Sequence, residues 1–399
     1  MNRSGIGRAL RILVIKGQSQ YGGTRLFADE AAQALANRGH QVGVLDLEPS
    51  HAIEADVAEA AAMGPFDLVF SINILGDYRS LTGQTMAELF GCPHVVWHTD
   101  YVLASWPRLQ NTPPETILLT VDPSQIEGLS LAAGPGRHRT GFFPHPGVGA
   151  PVADDADEAA FLAARPMPVL WSGSYPQRQS HWAAAPESTR RVLEGAVEKC
   201  LAVDWLPPHV ALAQSLAGIG MDLADPAMRH NIAAAWLIDT EVRTRRREAF
   251  LAALADSGVE LHICGEAWEP HLHRFKGATY HGSVPMAGMV ELMRQSRVVL
   301  NTNGNFGAGA HERPFSAALA GAACFSDLSL YYLGEMKPGE DIELFSWLDL
   351  PGAMARLRGL VADPERCWRM GLAAKAATVA GHTWDRQVGA ILSAAGLEA

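Results

Sequence analysis

Short runs of β-favouring residues, each followed by a stretch with helical spacing, set the rhythm of this chain. The first, residues 11–16 (RILVIK), leads through the turn GQSQYGGT into a predicted helix over 25–38 that Gly39 closes. The pairing repeats with strands over 41–46, 68–72, 94–98 and 116–121, helices over 52–63 and 80–90, and a last short strand over 139–143. Continuous rather than alternating apolarity predicts strands buried on both faces of a parallel sheet, and strands separated by helices predict a doubly wound α/β domain. Proline, glycine and acidic residues over 144–158 read as a linker, so a first domain is expected over residues 1–150.

A second domain over 151–382 opens with a strand at 169–171 and the turn SGSY. Residues 186–256 turn helical, punctuated by Pro207, Pro208 and Pro226, and read either as an insertion that builds a core or as an acceptor or oligomer surface. The α/β rhythm then resumes with a strand over 260–264, the turn GEAWE, a short strand before GSVP and a helix over 286–295. The densest pattern is VVLNTNGNFGAGAHERPFSAALAGAACFSD, residues 298–327: a strand, a loop carrying Gly304, Gly307 and Gly309, a helix over 314–320 and another strand. Pro314 suits a first helical turn and Gly321 a helix end. His311, Glu312 and Arg313 are therefore expected at a helix N-terminus, where amides, the helix dipole and a guanidinium would gather around a diphosphate.

Composition narrows the field. The length of 399 residues suits two domains, each with its own core. Lys plus Arg at 32 against Asp plus Glu at 43 gives a net charge of -11 with no long basic run, which argues against nucleic acid as a main partner. The tightest basic cluster, Arg243, Arg245, Arg246 and Arg247, reads as the solvated face of a helix. Cys92, Cys200, Cys264, Cys324 and Cys367 are far apart with no CxxC pair, as in reduced core thiols of a cytoplasmic protein. No leader and no membrane-spanning segment is predicted, peripheral membrane contact staying open, and no DxD-like acidic cluster points to a metal.

The run HERPFSAALAGAACFSD, with Gly304-Asn305-Phe306 before it, resembles the donor-binding core of the CgeB-like bacterial glycosyltransferases and their HERxF-type motif. VDPSQIEGL, FFPHPG, GEAWE, HGSVP and HTWDRQ resemble further landmarks of that family in the same order, from about Cys92 to Gln387. The resemblance implies the GT-B fold: two facing Rossmann-like domains, a helical insertion in the second, and a C-terminal helix in 383–399 returning to the first. It also implies a glycosyltransferase of hexosyltransferase type (EC 2.4) with a nucleotide-diphosphate-sugar as co-substrate and no cofactor. One position departs from the pattern, since Ser316 stands where many retaining relatives hold the ribose with a glutamate.

Ligands of open α/β sheets bind beyond the carboxyl ends of the strands. On the donor side this singles out Gly173 and Ser174, Gly265 and Trp268, His281, Gly282, Ser283 and Val284 for the base, and Asn305, Phe306, Gly309, His311, Glu312 and Arg313. Arg313 is the expected cation for the diphosphate; Glu312 would hold a sugar hydroxyl, orient Arg313 or cap the helix. In the first domain the strand ending in WHTDY offers His98 and Asp100 as general base, with Asp77 in reserve. Gly22 and Gly23 resemble the loop that approaches the donor phosphates in this fold, and His145 in FFPHPG is a further candidate. The expected activity is metal-independent transfer of a sugar to a glycan or protein acceptor. A nucleotide-sugar epimerase and a catalytically silent nucleotide-sugar binding module are the competing expectations.

Overall fold

The computed structural model describes residues 8–48, 52–73, 75–178, 181–304 and 306–397. The chain divides into two compact units: one takes in the chain up to Pro144 and again from Thr383, the other runs from His145 to His382.

The first unit carries a six-stranded parallel sheet of β1 (Arg11–Lys16), β2 (Gln41–Asp46), β3 (Leu68–Ile72), β4 (His94–His98), β5 (Ile117–Thr120) and β6 (Arg139–Phe142), in the order β2-β1-β3-β4-β5-β6. β3, β4 and β5 are buried along their whole length, as continuous apolar runs require. The predicted helix over 80–90 forms only at Met86–Phe90, where Thr85 and Glu88 make a reciprocal capping box and the polar residues before it stay irregular. The returning C-terminal segment docks Trp384 among Phe27, Trp97 and Phe143, with ring centroids 5.5–6.3 Å apart. This aromatic cluster buries the tryptophan of HTWDRQ in the core of the first unit.

The second unit repeats the plan with β7 (Met167–Ser172), β8 (His262–Cys264), β9 (Thr279–Tyr280), β10 (Ser296–Asn301), β11 (Ala323–Asp327) and β12 (Glu343–Phe345), in the order β12-β11-β10-β7-β8-β9. Every pairing is parallel. Between β7 and β8 lie the helices Glu187–Leu201, Pro208–Ala217 and the 22-residue Ala235–Asp256. The last is about 33 Å long and therefore outruns the strands it crosses. Its second half sends Phe250, Leu251 and Leu254 into the sheet core, while its first half packs on the two preceding helices. The insertion thus builds a core of its own and also extends a helix past the strand ends.

All five cysteines are free and buried. Among the described residues no helix is long and apolar enough to cross a membrane.

Candidate functional site

In each sheet the chain winds first to one side and then to the other, and the crevice opens outside the carboxyl ends of the two strands where the direction reverses. In the second unit those strands are β7 and β10. The last residue of β10, Asn301, accepts Arg313 Nη1 through its Oδ1 at 2.8 Å; the next, Thr302, accepts Arg247 Nε through its Oγ1 at 3.2 Å. Two guanidiniums from distant segments are thus fastened to consecutive residues at the strand end.

Arg247 comes from the overhanging helix, and this corrects the reading of the basic cluster as a solvated face. Spacing of three and four residues puts Thr240, Arg243, Thr244 and Arg247 on one helical face. That face lines a cavity of about 350 Å³ completed by Ser174, Tyr175, Pro176 and Gln177 after β7 and by Glu266 and Ala267 after β8. Arg246 points the other way. It is buried, donates to the carbonyls of Cys200 and Val203 at 2.8 Å, and lies over the Trp347 ring. Arg245 keeps partly exposed ion pairs with Glu198 and Glu241. Burial, with Arg243 and Arg313 as like charges nearby, lowers the Arg247 pKa to about 10, so the group stays charged at neutral pH.

The glycine-rich loop is tied to the same place. Gly304 has φ 71°, which favours glycine, and a Cβ there would stand 2.8 Å from Arg243 Cδ, so a side chain would displace that arginine. Asn303 staples the loop by donating Nδ2 to the carbonyls of Phe306 and Gly309 at 2.7 and 3.0 Å, while its own N–H goes to Asp327 Oδ1. Asn305 lies outside the described residues.

The expected amide-lined helix start takes a different form. The helix, Arg313–Leu319, has only seven residues. The His311 N–H donates to Tyr332 Oη at 3.0 Å, inside the protein. Amides already satisfied inside the protein are poor anion ligands, so positive charge at this corner rests on the guanidiniums. Glu312 is buried against His311, which it contacts closely at Nδ1. Burial pushes its carboxyl up, but the His311 contact, Arg313 and His145 outweigh that and hold the pKa at about 2. Glu312 is therefore a fixed partner of His311 rather than a free carboxylate. His145, buried, lies over the His311 ring at 5.7 Å and joins this cluster instead of sitting in a linker. Ser316, fully buried, accepts the Val148 N–H at 3.0 Å, which removes it from ligand contact.

The turns after β7, β8 and β9 divide between structural and accessible groups. Gly265 has φ 140°, and a Cβ there would stand 2.4 Å from the Gly173 carbonyl oxygen, so the β7 and β8 turns touch backbone to backbone. Trp268 is completely buried and donates its indole N–H to that carbonyl at 2.8 Å; it braces the turns from behind and offers no ligand surface. His281 pairs with His262, ring nitrogens 3.0 Å apart, and the Gly282 carbonyl accepts the Gly265 N–H. Ser283 is exposed and Val284 partly so; Ser174 lines the arginine cavity.

In the first unit the reversal falls between β1 and β3. Gly22, with φ 74°, caps the helix Gly23–Asn37 after β1. After β3, Asn73 takes φ 56°, a left-handed conformation that Asn tolerates and few other residues do. Its amide donates to Thr99 Oγ1 at 2.7 Å and to Asp100 Oδ2 at 3.2 Å, and its Oδ1 accepts the Thr99 N–H at 2.9 Å. Asp100 is thereby held at the β4 tip and exposed to solvent. His98 is not its equal: it is buried beside Asn73, Asp77 and Arg108, and burial lowers its pKa to about 4, with Arg108 and His138 adding to the effect. Asp77 is engaged by Arg108, Nε to Oδ1 3.0 Å; burial raises its pKa, but that contact outweighs burial and leaves it below the usual range.

Neither Asn73 nor Arg247 was singled out from the sequence. A non-glycine residue at a strand end gives no local sign of positive φ, and Arg247 acquires its role only because its helix overhangs the sheet. A helix longer than its neighbouring strands was the one available signal.

Comparison with known proteins fits this geometry. A family described as "Glycosyl transferase-like" matches residues 243–393, a span that begins at the first arginine of the cavity. Among solved structures, the chain is similar to HepE of Anabaena in complex with UDP-glucose, at 12% identity over 96% of this chain and 99% of that one, with a TM-score of 0.52. It is similar to the BGT of phage T4 with its UDP-glucose substrate, at 11% identity over 97% and 100% and a TM-score of 0.52. Sucrose-phosphate synthase from Thermosynechococcus elongatus gives 11% identity over 96% and 98% and a TM-score of 0.53. No curated protein matches the sequence. The chain has the GT-B fold.

Proposed function

We propose that the protein is a glycosyltransferase that moves a sugar from a nucleotide-diphosphate-sugar to an acceptor hydroxyl or amide on a glycan or protein. One observation carries this reading: Arg247 and Arg313 converge on Thr302 and Asn301 at the strand-reversal point of the second unit. Like charges gathered in a partly buried corner repel each other, and a bound diphosphate would relieve that repulsion while accepting paired N–H donors from each guanidinium. The glycosyl transferase-like match over 243–393 supports it, as does the UDP-glucose bound by HepE and the phage T4 enzyme.

In this reading the guanidiniums neutralise the departing diphosphate in place of a divalent cation, and catalysis comes mainly from that preorganised charge. Arg243, softened by its ion pair with Asp239 at 2.9 Å, adds to the same field. Asp100 takes the proton from the acceptor, positioned by Asn73, because it is the accessible carboxylate at its strand tip. The donor sugar is taken to be a hexose and the enzyme to be CgeB-like, on the strength of the run HERPFSAALAGAACFSD.

Titration calorimetry with UDP, GDP and ADP tests the donor site. Arg247→Ala and Arg313→Ala are each expected to weaken the best of these about 10- to 100-fold, the range for hydrogen bonds between charged groups. Wild-type affinity in both variants would sink the reading.

A further inference from the structure

The overhanging helix carries one large side chain that a diphosphate site does not use. At steps of four, three and four residues back from Arg247, the face that bears Arg243 and Thr240 continues to Trp236. With 1.5 Å of rise per residue, Trp236 stands about 10 Å along the axis from Arg243 and about 16 Å from Arg247. The helix leaves β7 and leads back to the parallel strand β8, so it runs against both; its second half lies on the sheet core and its first half passes beyond their carboxyl ends. Trp236 therefore projects outward from the arginines, away from the strand ends.

Packing does not account for this tryptophan. Ala235, Ile238 and Val242, on the other side of the same turns, are completely buried, whereas Trp236 is 36% exposed. Its ring meets His181 with centroids 5.6 Å apart at 69°, an edge-to-face contact that cannot cover both faces of the indole. A lone exposed apolar side chain is ordinary on a protein surface, but this one prolongs the lining of a polar cavity. The groups next to it are neutral and polar. Thr240 and Thr244 donate their hydroxyl protons to the carbonyls of Trp236 and Thr240, at 2.9 and 2.8 Å, which leaves their oxygens as acceptors. Gln177, exposed at the cavity rim, offers an amide donor and an acceptor.

An aromatic face beside neutral donors and acceptors matches a pyranose, whose ring face is made of apolar C–H groups and whose edge carries hydroxyls. A nucleobase stacks on aromatic faces too, but a nucleotide in this kind of sheet lies along the strand ends, and Trp236 points away from them. We propose that Trp236 is the stacking platform of an acceptor subsite for a saccharide, so that the acceptor is a glycan, with a sugar ring laid on the indole and Gln177 engaging its hydroxyls. The assignment rests on the donor-site reading above and adds the substrate class of the second reactant.

Saturation-transfer NMR with maltose, cellobiose, lactose and N,N′-diacetylchitobiose measures the subsite, and calorimetry with UDP, GDP and ADP measures the donor site. Wild-type protein should bind at least one of these disaccharides. Trp236→Ala should weaken it about fivefold or more, the worth of an aromatic contact, and Trp236→Phe should restore most of the affinity, while nucleotide affinity stays within about twofold in both. Trp236 lies outside the buried core, so neither variant threatens folding. Absence of disaccharide binding in the wild type, or binding that survives in Trp236→Ala, overturns the subsite. Loss of nucleotide affinity in Trp236→Ala would give the indole to the base and overturn the assignment while the donor reading stands. Trp236-dependent disaccharide binding by a protein that takes up none of the nucleotides would uphold the platform and overturn the donor reading.

Discussion

Both units hold a doubly wound, six-stranded parallel sheet, ordered differently in each, and they differ in what their strand ends carry. In the second, the β10 end fastens Arg313 and Arg247, and Arg247 lines a cavity together with Arg243. In the first, the β1 and β3 ends present a glycine turn and a left-handed Asn73, which holds the exposed carboxylate of Asp100 at the neighbouring β4 tip, where His98 is buried and neutral. A parallel sheet with a reversal point fixes where a ligand can approach, and the side chains on the loops decide which ligand and which chemistry. In the proposed reading the cationic end takes the leaving group and the carboxylate end the acceptor.

This contrast breaks most sharply at Asp100. Asp100→Asn should lower the transfer rate by about 10²- to 10⁴-fold, as loss of a general base does, while nucleoside diphosphate affinity stays within about twofold. Parallel losses of rate and nucleotide affinity would erase the division of labour. The next effect falls on the second unit's scaffold: Gly265→Ala forces a Cβ to within 2.4 Å of Gly173 O at a positive φ and should cost about 3 kcal/mol, read as a drop in Tm of several degrees. A Tm equal to wild type would show that the two turns do not need their backbone contact.

Glu312 sharpens the electrostatic side. Its folded pKa of about 2 lies below the ordinary carboxylate value, so its stabilising contribution is present above pH 4.5 and is lost as pH falls from there through 2. Glu312→Gln should therefore melt lower than wild type at pH 7, by about 2 kcal/mol, and the two curves should converge as the pH falls through that window. A gap that persists at the acid end would contradict the pairing with His311. The smallest effect belongs to Ser316→Ala, about 1 kcal/mol for an unpaired Val148 N–H, with nucleotide affinity unchanged. A loss of nucleotide binding there would return Ser316 to the site.

Much of the plan was legible in the residues. Mostly apolar, non-alternating runs such as LVFSI and HVVWH suit burial on both faces, and their alternation with helical stretches led to two doubly wound sheets. The placement of Arg313 beside the β10 end was legible too, since it follows a glycine-rich loop at that strand end. The errors have a common form. Trp268 and Glu312 looked like ligand residues because they lie in strand-end turns, yet both are consumed by internal partners. The four arginines at 243–247 looked alike in sequence and separate into a cavity-lining pair, a buried brace and a surface ion pair.

By itself the sequence determined the strands, their parallel arrangement, the helical insertion and the strand-end loops where chemistry would sit, because hydrophobic period and turn residues are local properties. Which polar groups remain available was settled by packing. That depends on partners far apart in the chain, Val148 for Ser316, Thr302 for Arg247, Gly173 for Trp268, and on which helix face happens to overhang the end of a sheet.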